Sequence, residues 1–329
     1  MGKPVLISGI QPSGRLHLGN YLGALKNFVD LQKSGKYQCY FFIADYHSLT
    51  EDFEPKDKPV QILDLAASYL AAGLDPKKSL IFQQSIVHHS PELGWIMETL
   101  TPFGEMRRMT QFKEKSEARQ ENVNVGLFTY PALMAADVLI FDAAFVPVGE
   151  DQLQHLELTR TLARKFNGRF GKTFVEPKSL LSKVPRLMSL DDPTKKMSKS
   201  RPAGCLFLDD SPAEIEKKIR TAVTDSGSEI KYDPKAKPGI SNLLEIVAGL
   251  SGKPIAEVEK GFSGMNYSEF KHSVSDFVAD YFAPFRKKKA ALLKKPAAIK
   301  KVLRLGSGQA HELAKKKMAE VKKRIGIAL

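Results

Sequence analysis

Gly9-Ile10-Gln11-Pro12-Ser13-Gly14-Arg15-Leu16-His17-Leu18-Gly19-Asn20 is the stretch that decides the fold. Before it, Pro4-Val5-Leu6-Ile7-Ser8 reads as a short buried strand. After it, Leu18, Tyr21, Leu22, Leu25, Phe28 and Val29 recur at helical spacing. A glycine-rich turn therefore joins a strand to a helix. In an open α/β sheet ligands bind there, outside the carboxyl ends of the strands. Glycines let a nucleotide approach the backbone, and the free N–H groups of a helix start attract phosphate. His17 adds a donor toward charge developing on phosphate. Taken alone, the turn also fits an ordinary strand–helix connection, with the histidine as a cap or packing residue.

Working outward, residues 39–44 read as a second strand and 62–72 as a helix ended by Gly73 and Pro76. Leu80-Ile81-Phe82 is a third short apolar run. This alternation predicts a parallel sheet with helices on both faces. Helices are predicted over 131–141, with Pro131 in the first turn, and over 152–166. Residues 182–206 read as a loop, and 212–223, 241–250, 255–259, 268–282 and 309–325 as successive helices. The expected class is α/β: a Rossmann-like, doubly wound parallel sheet with a helical insertion and a C-terminal helical domain.

The predicted loop holds Pro193-Thr194-Lys195-Lys196-Met197-Ser198-Lys199-Ser200. Lysine is a mobile point charge suited to following a phosphate through a reaction. Ser198 and Ser200 supply hydrogen-bond donors, and Met197 can pin the loop to apolar surface. Composition alone would make this an ordinary Lys/Ser loop. Its order, downstream of the strand–turn–helix start, points to phosphate handling.

The net charge of +13 is uneven. Within residues 286–329, fifteen Lys and Arg stand against two acids, Glu312 and Glu320, so this segment carries the whole excess. Two readings are open: a polyanion partner such as nucleic acid, or a solvated lysine face. No run of eighteen apolar residues suggests a membrane span. Cys39 and Cys205 are too few for a disulfide framework and lie in no Cys/His metal cluster. With no basic leader ahead of the first strand, a cytoplasmic protein is expected.

These segments carry a family resemblance. His17-Leu18-Gly19-Asn20 resembles the HIGH element of class I aminoacyl-tRNA synthetases, and Lys196-Met197-Ser198-Lys199-Ser200 matches their KMSKS element letter for letter. The Gly9–Gly14 turn, Met109-Thr110-Gln111-Phe112-Lys113, Met134-Ala135-Ala136-Asp137, Val146-Pro147-Val148-Gly149-Glu150-Asp151-Gln152 and Ala222-Val223-Thr224-Asp225-Ser226 are similar to the bacterial tryptophanyl-tRNA synthetase family. The match covers most of residues 3 to 245 in one order and weakens beyond.

The resemblance implies activation of L-tryptophan by ATP, accompanied by Mg2+, followed by transfer to tRNA(Trp). It implies an ATP site of Gln11, Pro12, Ser13, Gly19, Asn20, Gly149, Glu150, Asp151 and Leu187, closed by Lys196, Met197, Ser198, Lys199 and Ser200. Catalysis would fall to His17, Lys115, Lys196 and Lys199, with no protein-held metal. Asp137 would accept the indole N–H. Ile7, Tyr130, Met134, Val146 and Val148 would wall the pocket, with His47 beside them and Gln152 on the ammonium group. Without the resemblance, Tyr130 and Met134 read as core, and Asp137 as a buried ion pair or cap.

By the same resemblance, residues 1–190 form the catalytic domain, with a helical dimer-interface insertion over about 65–130. Residues 191–205 form the KMSKS loop, and 206–329 a helical anticodon-binding domain whose last helix can pack back on the body. A homodimer is implied, and no membrane. Two features depart from the family: bacterial members often have Thr-Ile-Gly-Asn at 17–20, and Arg201 stands where an acid is usual, before a shortened loop. The rivals are a tyrosyl-tRNA synthetase, a small-metabolite adenylyltransferase and a non-catalytic nucleic-acid-binding descendant.

Overall fold

Strand β1 (Val5–Ile10) lies at the centre of a five-stranded sheet. On one side follow β2 (Gln38–Ile43) and β3 (Ser79–Gln83), and on the other β4 (Phe145–Val148) and β5 (Lys178–Leu181). The order is β3-β2-β1-β4-β5, and every ladder is parallel. Winding reverses between β1 and β4, so the ligand crevice of such a sheet falls between these strands. The computed structural model describes residues 2–112, 123–181 and 187–328.

Helix α1 follows the glycine turn in three contiguous segments: Leu18–Asn20, a wide π turn over Tyr21–Leu25, and Lys26–Ser34. Then come α2 (Lys58–Ala72), α3 (His89–Leu100), α4 (Val125–Leu139) and α5 (Leu153–Phe170). The C-terminal part is helical: α6 (Pro212–Arg220), α7 (Pro238–Ser251), α8 (Tyr267–Leu293) and α9 (Pro296–Ile325). The expected fold class is borne out.

Successive strand residues face opposite sides. Leu6 and Phe41 join one core with Phe28, Tyr69, Leu243, Phe270 and Phe282, which continues from the sheet into α7 and α8. Ile7 and Phe42 join the other, with Phe82, Leu139 and Phe166, closed by Met318 and Val321 of α9. Helix α9 crosses β3 where Gly306 lies so close that an added Cβ would sit 1.9 Å from the Ile81 carbonyl oxygen. The Gln83 N–H donates to Ser307 Oγ at 3.0 Å in the same place.

Several elements differ from expectation. β4 and β5 escape sequence reading, because β4 carries Pro147, which argues against a strand, and β5 is only partly buried. Helix α4 starts at Val125, with Asn124 Oδ1 accepting from the Leu127 N–H at 2.9 Å, so Pro131 lies inside it rather than in its first turn. Helix α8 runs on through Pro284, and α9 begins at Pro296 and passes through Gly306 and Gly308. Packing against the sheet and α2 sustains them where local propensity would stop them. Trp95, which the sequence leaves as core or interface, is 68% exposed.

Candidate active site

A cavity of about 400 Å3 opens at the carboxyl ends of β1 and β4, between α1 and α4. The β1–β4 ladder has one register pair, Leu6↔Phe145, and Ser8 Oγ donates to the Pro147 carbonyl at 3.3 Å beyond it. Gly9 lets β2 approach this wall, since a Cβ there would meet the Phe42 ring at 2.8 Å. Ile7, His47, Tyr130, Met134, Asp137, Val146, Val148 and Gln152 all line the cavity. Gln11, Ser13, Asn20, Gly149 and Lys199 line it as well.

Asp137 is 2% exposed. His47 Nε2 lies 2.8 Å from its Oδ2, and Gln84 Nε2 donates to the same oxygen at 2.7 Å. Among the described residues no side chain or backbone donor takes Oδ1. Gln84 is itself fixed, because its Oε1 accepts the Tyr46 N–H at 3.0 Å. The Tyr130 hydroxyl pairs with His155 Nε2 at 2.8 Å, and the ring stands edge-on to His47. Burial, helped by Asp151, pushes the Tyr130 phenol up to about 12, so it stays protonated.

His17 is the N-cap of α1. Its Nδ1 accepts the Gly19 N–H at 3.1 Å, while Asn20 Oδ1 accepts the His17 N–H at 3.2 Å. This reciprocal capping fixes the turn's exit. Burial, then the charges of Lys199 and Lys196, hold the imidazole down at about 4. The ring is neutral at pH 7. With Nδ1 accepting, its proton sits on Nε2.

The second lysine of KMSKS folds onto the glycine turn. Lys199 Nζ donates to Ser13 Oγ at 3.2 Å and to the Ser13 and Gly14 carbonyls at 3.3 Å. Burial lowers its pKa. Met197 is 2% exposed, and its N–H donates to the buried Leu187 at 3.0 Å, pinning the loop as its sequence suggested. Lys196 pairs with Met188, Ser198 Oγ lies 2.9 Å from Ser200 Oγ, and Arg201 bridges to Asp191 and Asp192.

Pro12, Gly19, Glu150, Asp151, Leu187, Lys196, Met197, Ser198 and Ser200 lie outside the cavity wall. Glu150 and Asp151 are exposed, with Asp151 Oδ2 accepting from Gln152 and Gln111 at 2.8 and 3.2 Å. Lys115 falls outside the described residues.

Residues 2–283 match the family of class I tRNA synthetases for W and Y. The tryptophan–tRNA ligases of Caldanaerobacter subterraneus subsp. tengcongensis and Bacillus anthracis are 47% and 44% identical, each alignment covering 98% of both chains. The chain belongs to the class I tryptophan–tRNA ligases. A solved structure of the tryptophanyl-tRNA synthetase from Campylobacter jejuni, complexed with ADP and tryptophan, superposes with a TM-score of 0.83 at 36% identity, covering 98% of this chain and 99% of that one.

Sequence reasoning missed Gln84 in this ligase. It sits one residue past β3, 1% exposed, and holds Asp137 without lining the cavity. Its only signal in sequence is a polar pair, Gln83-Gln84, at the end of an apolar strand.

Proposed function

We propose that the cavity holds L-tryptophan and that the adjoining turn and KMSKS loop hold ATP. The observation that carries this is Asp137: a buried carboxylate in an apolar pocket, both of whose donors among the described residues meet one oxygen. The other oxygen suits a flat aromatic ligand with a single N–H. Ile7, Met134, Val146 and Val148 supply apolar walls, Tyr130 and His47 aromatic edges, and Gln152 an acceptor for the ammonium group. A ligand lacking the N–H would leave the acceptor unpaired, at a cost of roughly 1–3 kcal/mol.

In the first step a tryptophan carboxylate oxygen attacks the α-phosphorus. The bond from that phosphorus to its bridging oxygen breaks, and pyrophosphate leaves. In the second, a ribose hydroxyl at the 3′ end of tRNA(Trp) attacks the acyl carbon, and AMP leaves. The chain positions reactants and stabilises charge. His17 Nε2–H donates to phosphate without adding a charge of its own. Lys199 exchanges three neutral oxygens on Ser13 and Gly14 for phosphate oxygens, which makes stronger, charge-assisted bonds. Lys196 and Lys115 share the triphosphate. Met197 anchors the loop to Leu187, and Ser198 and Ser200 donate from it. Gln11, Pro12, Ser13, Gly19 and Asn20 form the turn against ATP, and Gly149, Glu150 and Asp151 face its ribose. Mg2+ enters with ATP as part of the substrate, held by phosphate oxygens and water.

Exposed Trp95, Phe103 and Val125 support a homodimer through the region 65–130. The basic 286–329 segment supports a tRNA partner at the C-terminal helical domain 206–329. Among the described residues no helix is long and apolar enough to cross a membrane. The cytoplasm, where tRNA is charged, is the proposed location.

Amino-acid-dependent ATP–pyrophosphate exchange tests the reading. Tryptophan supports exchange and tyrosine does not. Exchange with tyrosine alone overturns it.

A further inference from the structure

Lys289 of α8 is 3% exposed and does not line the cavity. Its Nζ lies 2.7 Å from Asp64 Oδ1 on α2 and 2.7 Å from Asp209 Oδ2. The opposite oxygen of Asp209 accepts from Arg15, at 2.8 Å from Nε and 2.7 Å from Nη2. Arg15 Nη2 also reaches Asp210 Oδ1 at 2.9 Å, and Asp210 Oδ2 takes Lys218 Nζ at 2.6 Å. Three acids and three bases thus form one neutral chain through α2, α8, the segment after the KMSKS loop, the glycine turn and α6.

Arg15, in the middle of this chain, adjoins the proposed ATP site. Arg15 follows Gly14, and the Ser13 and Gly14 carbonyls are the seat of Lys199. The Arg15 guanidinium lies 4.4 Å from the centre of the Phe207 ring. Beside that ring the backbone is bolted to the helix cap: the Leu18 N–H donates to Leu206 O at 2.8 Å, and the Leu208 N–H to Leu16 O at 3.0 Å. The segment leaving the KMSKS loop and the turn facing ATP therefore share one set of fasteners. Asp209 is the link, and Lys289 is its only ion-pair partner from the C-terminal helices among the described residues.

We propose that Lys289 is a positioning residue for ATP. It orients Asp209, and through it Arg15, so that the Ser13–Gly14 turn and Lys199 are held in register. A buried ammonium removed from between two carboxylates leaves Asp64 uncompensated and Asp209 with Arg15 alone. Asp209 then turns toward Arg15 alone, and the turn moves with it. Small misplacements at a reacting site cost large factors in rate. This inference rests on the ATP site proposed above.

The test is ATP–pyrophosphate exchange by the full chain, with ATP and tryptophan titrated separately. Lys289→Met raises the KM for ATP about tenfold and leaves the KM for tryptophan within about twofold. Lys289→Arg, which keeps the charge, restores the KM for ATP to within about threefold of the parent. Asp209→Asn, at a partly exposed carboxylate, reproduces the ATP effect and carries the test if Lys289→Met fails to fold. In the double variant the two effects do not add. A lower melting temperature with both KM values unchanged, or both KM values rising together, overturns the proposal. A parent enzyme without tryptophan-dependent exchange would instead overturn the functional reading.

Discussion

His47 Nε2 and Asp137 Oδ2 meet at 2.8 Å across 90 residues of chain, and Gln84 reaches the same oxygen from 53 residues away. Two donors on one oxygen orient the carboxylate, and in the proposed function its other oxygen meets the ligand. Asp137→Asn introduces an amide whose N–H faces these donors or the ligand. The KM for tryptophan rises roughly 10- to 100-fold, as expected for about 1–3 kcal/mol of mispaired buried polar group, while the KM for ATP stays within about threefold. Separate titrations in the exchange assay measure this, and equal losses would make Asp137 a structural residue.

Gln84→Leu acts on the same acceptor indirectly. It strips one donor from Asp137 and the acceptor from the Tyr46 N–H. Urea unfolding reports a stability loss of about 1–3 kcal/mol, and the affinity for tryptophan falls less than in Asp137→Asn. Unchanged tryptophan binding would show that His47 alone orients the carboxylate.

Lys199→Ala removes the cation seated on Ser13 and Gly14. Single-turnover adenylate formation slows about 100- to 1000-fold, the magnitude typical of one lost transition-state donor. Equilibrium binding of tryptophan changes less than about twofold. A parent-like rate would remove the loop from the chemistry.

His17 links stability to pH. Its folded value of about 4 lies below the ordinary 6.5 of a free imidazole. Between these values the unfolded chain binds a proton that the folded chain refuses, so stability is full above pH 6.5 and declines as pH falls toward 4. The loss reaches up to about 3 kcal/mol. Comparing urea midpoints of the parent and His17→Asn at pH 7 and pH 5 isolates it: the parent loses more over that interval. Parallel shifts would mean that His17 is not the titrating group.

Gly306→Ala forces a methyl group toward the Ile81 carbonyl, with a cost of about 1–3 kcal/mol read by thermal unfolding. Gly308→Ala is the control. Nothing lies within 4 Å of a Cβ there, so it stabilises by up to about 1 kcal/mol. Equal effects at both positions would mean that α9 does not rest on β3.

The first three strands and the glycine turn were legible because their signals are local: an apolar run, a turn residue, a helical period. β4 was not, because Pro147 contradicts the strand that its neighbours enforce. The ends of α4, α8 and α9 were misplaced for a related reason. Pro131, Pro284 and Gly306 each suggest a helix boundary, yet packing around them outweighs their local cost. The eight residues assigned to the amino-acid pocket converge on one cavity, because the segments that carry them sit at strand ends and on helices facing the switch point.

Through its family resemblance the sequence pointed to the nucleotide chemistry and the amino acid, since His17-Leu18-Gly19-Asn20, KMSKS and the segment ending at Asp137 are contiguous motifs that can be matched in order. The tertiary structure alone decided which groups hold those residues in place: Gln84 and His47 on Asp137, Gly306 against β3, and the ion chain from Lys289 to Arg15. The physical reason is reach. Propensity and periodicity act over a few neighbours, whereas a buried charge or a backbone contact is satisfied by whatever the winding of the sheet brings alongside it.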